Sequence, residues 1–285
     1  MATFDKLYSF TTENISGYIK HFSLNNKSLL TVGSSGDQVI NASLKGCHDS
    51  TIMDISPNTK NYYYLKIACL LNLNMNEFLT FLCPTHYKEY YRINHELFDK
   101  TVFNRIKNTL KELDIDAYMF WDKMFDAYSP REILGNLFLN DIISAEEIKK
   151  SNLYLNSELA FDEAKVKIKN MNTSFIIRNI KDVRLTKTYD NMWFSNIGGD
   201  YMEIHEFVDT VSSLSKNLNL DGKILVSYLY RVTKQNSKLK TCKDTFHVDD
   251  LLKLLKENNL KTRTYMVDGV CKTAKDAVLI HKKTR

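Results

Sequence analysis

LLTVGSSGDQV, residues 29 to 39, and TIMDISPN, residues 51 to 58, are the two stretches whose reading decides the fold. Each opens as a short apolar run bounded by turn residues, the pattern of a buried strand. The first breaks at Gly33 and Gly36 and continues as a helix. The second ends in Asp54, at the carboxyl tip of its strand, with Ser56 as N-cap and Pro57 as first residue of the next helix. Strand, glycine turn, helix and strand is the layout of an adenosine-binding α/β domain. Glycines without a Cβ let the backbone turn sharply and approach a ligand, and the helix that follows offers N–H groups to an anion. A carboxylate such as Asp54 accepts both hydroxyls of a ribose. The blander alternative is an ordinary tight turn, with Asp54 capping the helix near Pro57.

A dinucleotide fingerprint fits this turn poorly. In G-x-G-x-x-G register from Gly33, the second and third glycines fall on Ser35 and Gln38. That directs the reading to S-adenosylmethionine.

At 285 residues and 44% hydrophobic content the chain is long and apolar enough for one large or two modest packed domains, which argues against disorder. The five cysteines, Cys47, Cys69, Cys83, Cys242 and Cys271, form no C-x-x-C pair and no metal spacing with the seven histidines. They read as reduced, buried thiols of a cytoplasmic protein, and no metal is expected. MATFDKLYSF carries an acid and no long apolar stretch, so no secretory leader is expected, and no run approaches the length of a membrane span. The net charge of +5 is mild and its lysines are dispersed, apart from clusters at Lys165 to Lys187 and Lys234 to Lys243. Solvated faces are the ordinary reading of such clusters; an anionic substrate, a peripheral membrane contact or RNA are the alternatives.

The apolar pattern divides the chain into three. Residues 29 to 73 carry two strands, each followed by a helix. Between Asn74 and Met171 the spacing turns helical: Tyr87, Tyr90, Tyr91, Phe98, Val102, Ile106 and Leu110 recur every three or four residues. Capping boxes pair Ser129 with Glu132, beside Pro130, and Ser144 with Glu147. Strand signals return at 174 to 180, 191 to 196 and 223 to 230. Helices follow around Ile204 to Leu218 and Leu251 to Leu255, and KTRTYMVDGV with DAVLIHK reads as a closing antiparallel hairpin. The expected fold is α/β: a Rossmann-like domain of residues 1–73 and 172–285 with a seven-stranded sheet whose last strand is antiparallel. A large helical insertion, 74–171, is expected to serve as lid or substrate-recognition region.

This strand inventory resembles class I S-adenosylmethionine-dependent methyltransferases. GSSGD at Gly33 to Asp37 resembles their motif I, Asp54 the ribose-binding acid of motif II, Asn179 and Ile180 the adenine-contacting pair, and YDNMWFSN at Tyr189 to Asn196 motif IV. Three positions depart from the common pattern: Thr31 replaces an acid, Ser35 a glycine and Asn179 an aspartate. A narrower resemblance, carried by G-S-x-G-D, DISP, FLTFLCP at Phe78 to Pro84 and the SN of motif IV, is to the diacylglycerol 3-amino-3-carboxypropyltransferase family of betaine-lipid synthesis. In that family the cofactor gives up its aminocarboxypropyl arm rather than its methyl.

The resemblance implies a cofactor set of Gly33, Ser34, Ser35, Gly36, Asp37, Asp54, Ile55, Asn179, Ile180 and Ser195. Candidates near the reacting centre are Ser195, Asn196 and Tyr201, with turn-making roles for the first two and a core role for Tyr201 as the plain alternatives. Arg92, His95 and Tyr230 are substrate-binding candidates, and Arg105 and Trp121 have suitable chemistry. Each also has an ordinary explanation: surface pairing for the arginines, an amphipathic helix face for His95, a plain strand end for Tyr230. Thr11, Thr12, Glu13 and Tyr18 lie in a segment that either covers the cofactor's amino-acid end, with Glu13 on its ammonium, or caps a helix.

Three functions follow. The first is an S-adenosylmethionine-dependent transferase, methyl or aminocarboxypropyl, acting on a small-molecule or lipid acceptor. The second is an RNA methyltransferase, which the dispersed lysines and the lack of an RNA-binding module disfavour. The third is a cofactor-binding protein without catalysis. The acceptor and the oligomeric state are not legible in the sequence.

Overall fold

The computed structural model describes residues 6–33, 35–83, 97–139, 144–195, 197, 202–230, 248–270 and 275–284. The elements in chain order are α1 (Ile15–Tyr18), β1 (Ser28–Val32), α2 (Asp37–Leu44), β2 (Asp49–Asp54), α3 (Asn58–Asn72) and α4 (Met75–Leu82). There follow α5 (Lys100–Leu113), α6 (Ile115–Ala127), α7 (Pro130–Leu137), α8 (Ala145–Ser151) and α9 (Glu158–Lys169). The remainder is β3 (Asn172–Ile177), β4 (Tyr189–Trp193), α10 (Ile204–Ser215), β5 (Leu218–Tyr230), α11 (Val248–Glu257), β6 (Thr262–Asp268) and β7 (Lys275–Lys282).

The seven strands form one sheet in the order β3-β2-β1-β4-β5-β7-β6. β1 pairs in parallel with β2 and β4, and β4 with β5, while β7 is antiparallel to both β5 and β6. This is the sheet expected from the sequence, and its strand order reverses between β1 and β4, the place where open α/β sheets bind ligands. Burial explains the order. The interior residues of β1 and β2 are buried without alternation, so both faces of those strands are covered, whereas the edge strand β6 is mostly exposed.

Two compact units divide the chain. The sheet unit comprises Glu13–Val32, Lys45–Met53 and Asn172–Arg285. Its core gathers Leu30, Met53, Met192, Phe194, Phe207, Val211, Leu251 and Leu279. The helical unit comprises Met1–Thr12, Gly33–Leu44 and Asp54–Met171. Its core is aromatic: Phe103 stacks on Phe125 at 4.2 Å between centroids and Phe98 on Phe138 at 5.3 Å. Helix starts are chemically marked. Asn74 with Glu77, Ser129 with Glu132 and Ser144 with Glu147 form reciprocal capping boxes, the last two as expected.

Three local expectations shift. Helix α3 begins at Asn58, one residue later than read, with Ser56 Oγ accepting the Asn58 N–H at 3.3 Å. Phe98 is not helical: Asp99 caps α5, so Phe98 is left in a buried turn with φ +49°. Strand β5 begins at Leu218 rather than at Lys223, and it ends at Tyr230 as expected. No helix among the described residues is long and apolar enough to cross a membrane.

Candidate functional site

The glycine turn belongs to the helical unit, where Gly33 meets the tip of β2. A Cβ on Gly33 would stand 2.5 Å from Asp54 Oδ2 and 2.5 Å from Thr59 Cγ2. Only glycine lets the backbone come this close to the carboxylate. Gly36 has φ +75°, the left-handed region, and its Cβ position lies 3.0 Å from the Tyr63 ring. Asp54 Oδ1 accepts the Ser56 N–H at 2.9 Å, a bond that turns the chain out of β2. Ile55 beside it is 66% exposed, an apolar side chain left on the surface next to an acid.

Around this turn Ser35 Oγ, Gln38 Oε1 and Thr59 Oγ1 are buried without a hydrogen-bond partner among the described residues. Buried polar atoms are nearly always satisfied, so three orphans beside one glycine turn mark a place built for polar contact.

Behind the turn lies a buried ion pair. Lys66 of α3 has no solvent exposure, and its Nζ donates to Asp37 Oδ1 at 2.6 Å, Ser9 O at 2.8 Å and Ser35 O at 3.0 Å. The same ammonium lies 4.1 Å from the centre of the Phe10 ring. Asp37 further accepts the Tyr154 hydroxyl at 2.7 Å and the Thr11 N–H at 2.6 Å. Burial pushes the Lys66 ammonium down, and the facing Asp37 charge pulls it back up. Asp37, expected as a cofactor contact, is fully buried in this network. Its side chain braces the turn from the inside.

A second polar cluster lies in the sheet unit and centres on Glu13. Ser195 Oγ donates to Glu13 Oε1; Tyr18 OH and Ser227 Oγ donate to Oε2, the latter at 2.6 Å. Glu13 is 3% exposed. Burial pushes its carboxyl up, and the Ser195, Ser227 and Tyr18 hydroxyls oppose that rise. Asp276, the second residue of β7, is 2% exposed, and its carboxyl is pushed up to about 7 by burial and by the field of Glu13. The segment holding Glu13 is organised by the capping expected of it: Asn14 accepts the Gly17 N–H at 3.0 Å and opens α1.

Ser195 itself has φ +51°, a conformation side chains rarely adopt, and its carbonyl accepts the Ser227 N–H at 3.2 Å. Asn179 caps a short 3-10 turn, its Oδ1 accepting the Lys181 N–H at 3.1 Å, and Ile180 packs into the sheet unit's core. Trp121 is a core residue whose indole donates to Asn61 O at 2.8 Å, and Arg105 pairs with Glu77 at 2.8 Å on the surface. Cys47, Cys69 and Cys83 are buried free thiols. Ser34, Arg92, His95, Asn196, Tyr201, Cys242 and Cys271 lie outside the described residues, as does the Tyr230 side chain.

Sequence reasoning missed Lys66, Ser227 and Asp276. Lys66 carried a usable signal, since it lies four residues from Tyr62 and three from Cys69, within the buried stripe of α3. Asp276 carried almost none, because an acid opening a strand reads as the end of a turn.

No family model matches this chain, and no curated protein matches it. Among solved structures, it is similar to the magnesium protoporphyrin IX methyltransferase of Synechocystis PCC 6803 with bound SAH. That likeness has 12% identity and a TM-score of 0.46, over 93% of this chain and 78% of that one. A SAM-dependent methyltransferase of Methanosarcina mazei aligns at 9% identity and TM-score 0.46, over 93% and 96%. The N-methyltransferase NodS of Bradyrhizobium japonicum WM9, in complex with SAH, aligns at 7% identity and TM-score 0.44, over 92% and 83%. The fold rests on the strand order of the chain itself.

Proposed function

We propose that this protein is an S-adenosylmethionine-dependent transferase acting on a small molecule, with methyl transfer as the reaction. The observation that carries the reading is the approach of Gly33 to Asp54, at the turn that follows β1 and the tip of β2 in a sheet of order 3-2-1-4-5-7-6. A carboxylate held there suits the two hydroxyls of a ribose. Ser35 Oγ, Gln38 Oε1 and Thr59 Oγ1 supply the polar partners that a nucleoside with an amino-acid arm needs, and the exposed Ile55 offers an apolar face to a flat ring.

Gly33, Ser35, Gly36, Asp54 and Ile55 are the proposed cofactor contacts in the helical unit; Asp37 acts through Lys66 by keeping the turn rigid. Asn179, Ile180 and Ser195 remain the proposed contacts in the sheet unit. When bound, the sulfonium supplies an already activated carbon. The residues therefore have to hold, orient and keep water away, the usual origin of most acceleration in such displacements.

The motif likeness to betaine-lipid synthesis supports aminocarboxypropyl transfer, to a lipid or small acceptor, as the second reading. The test is calorimetry with S-adenosylmethionine and S-adenosylhomocysteine, followed by product analysis with cell extract as acceptor source. Methyl transfer leaves S-adenosylhomocysteine, and aminocarboxypropyl transfer leaves methylthioadenosine. Absence of binding at millimolar cofactor overturns both.

A further inference from the structure

We propose that Glu13 and Asp276 form an acid pair that binds a protonated organic amine, so that the acceptor of the proposed transferase is an amine. The inference deepens that reading and rests on it for the word acceptor, but the amine site stands on its own geometry within the sheet unit.

The pair sits where the sheet unit presents polar groups at the carboxyl ends of its central strands. Ser195 lies two residues after β4, and Asp276 is opposite Tyr230, the last residue of β5. Open α/β sheets bind their ligands along this edge. The ladder between β5 and β7 is irregular at the same place. Its register slips between Val226 and Leu229, which puts an extra residue into β5 around Ser227. Bulges of this kind re-aim a side chain, and Ser227 Oγ is aimed at Glu13.

Asp276 Oδ1 points to a ligand. It is buried, has no hydrogen-bond partner among the described residues, and no described cation pairs with Asp276. A buried carboxylate oxygen without a donor is costly, and a second carboxylate in its field adds to the cost. A cation carrying N–H donors removes both penalties at once. The surroundings favour an organic ammonium over a metal ion. Tyr18 and Trp193 pack edge to face at 5.5 Å beside Glu13, giving aromatic walls of the kind that attract alkylammonium groups. Among the described residues no group of three or more metal-ligating side chains occurs.

The pair also has a place for the amine's proton. The resting complex is ammonium beside carboxylate. In the transfer step the ammonium N–H bond breaks, its electron pair stays on nitrogen, and the proton goes to the Asp276 carboxylate, so that a neutral amine reacts beside a neutral carboxylic acid. Only a neutral amine is a nucleophile.

The test uses the full chain and two probe pairs, benzylamine against benzyl alcohol and ethanolamine against ethylene glycol. Saturation-transfer NMR is expected to detect at least one amine and neither alcohol at equal millimolar concentration. With carbon-13 at the aspartate carboxyls, amine addition is expected to lower the Asp276 titration midpoint by about one pH unit. Asp276→Asn is expected to weaken amine binding by at least about tenfold while leaving S-adenosylhomocysteine affinity within about twofold. Equal signals from alcohol and amine, or an Asp276 midpoint that the amine does not move, overturn the proposal. If Asp276→Asn fails to fold, the wild-type carboxyl shift decides alone. Amine binding without any S-adenosylhomocysteine binding keeps the amine site and removes the transferase reading; the reverse outcome removes the amine site only.

Discussion

The Lys66 ammonium stands 2.6 Å from the Asp37 carboxylate, and neither side chain touches solvent. Removing one partner of such a pair strands the other charge in the interior, which costs more than the pair itself contributes. Lys66→Met is therefore expected to destabilise the protein by about 3–5 kcal/mol. The double variant Lys66→Met/Asp37→Asn is expected to be less destabilised than the sum of the two single changes, because the stranded charge is gone. Urea denaturation of the four proteins in a double-mutant cycle measures this coupling. Additive effects would mean that the contact carries no energy.

Gly33→Ala tests the approach of turn to acid. The added methyl falls 2.5 Å from Asp54 Oδ2, so the carboxylate or the Thr59 methyl has to move. Overpacking of this kind costs about 1–3 kcal/mol, but the more telling effect is on ligand affinity. Asp54→Ala is expected to weaken S-adenosylhomocysteine binding by about 1.5–3 kcal/mol, the range for hydrogen bonds to a charged group. Gly33→Ala is expected to weaken it in the same direction. Calorimetry on both folded variants checks this; unchanged affinity in Asp54→Ala removes Asp54 from the cofactor site.

The sheet was legible because each strand has its own short-range signal. LLTV and TIMD are apolar runs with a glycine turn or an acid at the end, and the last two strands lack helical spacing between them. Capping boxes were legible for the same reason, since Ser129 with Glu132 and Ser144 with Glu147 form their bonds within one turn. The polar networks were not. Glu13 meets Ser195 and Ser227 across 182 and 214 residues of chain, and nothing local in TTEN or in LVSYL records that meeting. Lys66 was hidden by composition, because a lysine in a helix is ordinarily on its solvated face.

Ser195 permits a comparison that separates backbone from side chain. Its φ of +51° is strained for any residue with a Cβ, and its hydroxyl donates to Glu13. Ser195→Ala loses the hydrogen bond and keeps the strain; Ser195→Gly loses the bond and relieves the strain. The alanine variant is expected to be less stable than the glycine variant by about 1 kcal/mol, the reverse of the order in a helix or strand. Thermal unfolding of the pair measures the difference, and equal stability would place Ser195 in relaxed backbone.

Asp276 gives the protein a dependence on pH whose sign is opposite to that of an ordinary salt-bridged acid. In the folded chain its carboxyl is pushed up to about 7, against 3.8 for the same group in the open. Between those values the folded state holds a proton that the unfolded state has released, so stability falls as pH rises. The advantage is complete below the unfolded value and is lost as pH passes through the folded one. For this group alone the loss from about pH 5 to about pH 8 is on the order of 2–3 kcal/mol. Glu13, whose carboxyl burial also pushes up, acts in the same direction. His21 acts in the opposite one, since burial lowers its imidazole and the unfolded state then binds the extra proton. Asp276→Asn removes the ionisation while keeping the shape, so the difference between wild type and variant isolates the aspartate. The variant's urea midpoint is expected to vary less across this range than that of the wild type, with the gap between them widest at the alkaline end. Parallel profiles would mean that Asp276 ionises as readily in the folded chain as in the unfolded one, and that its burial carries no penalty.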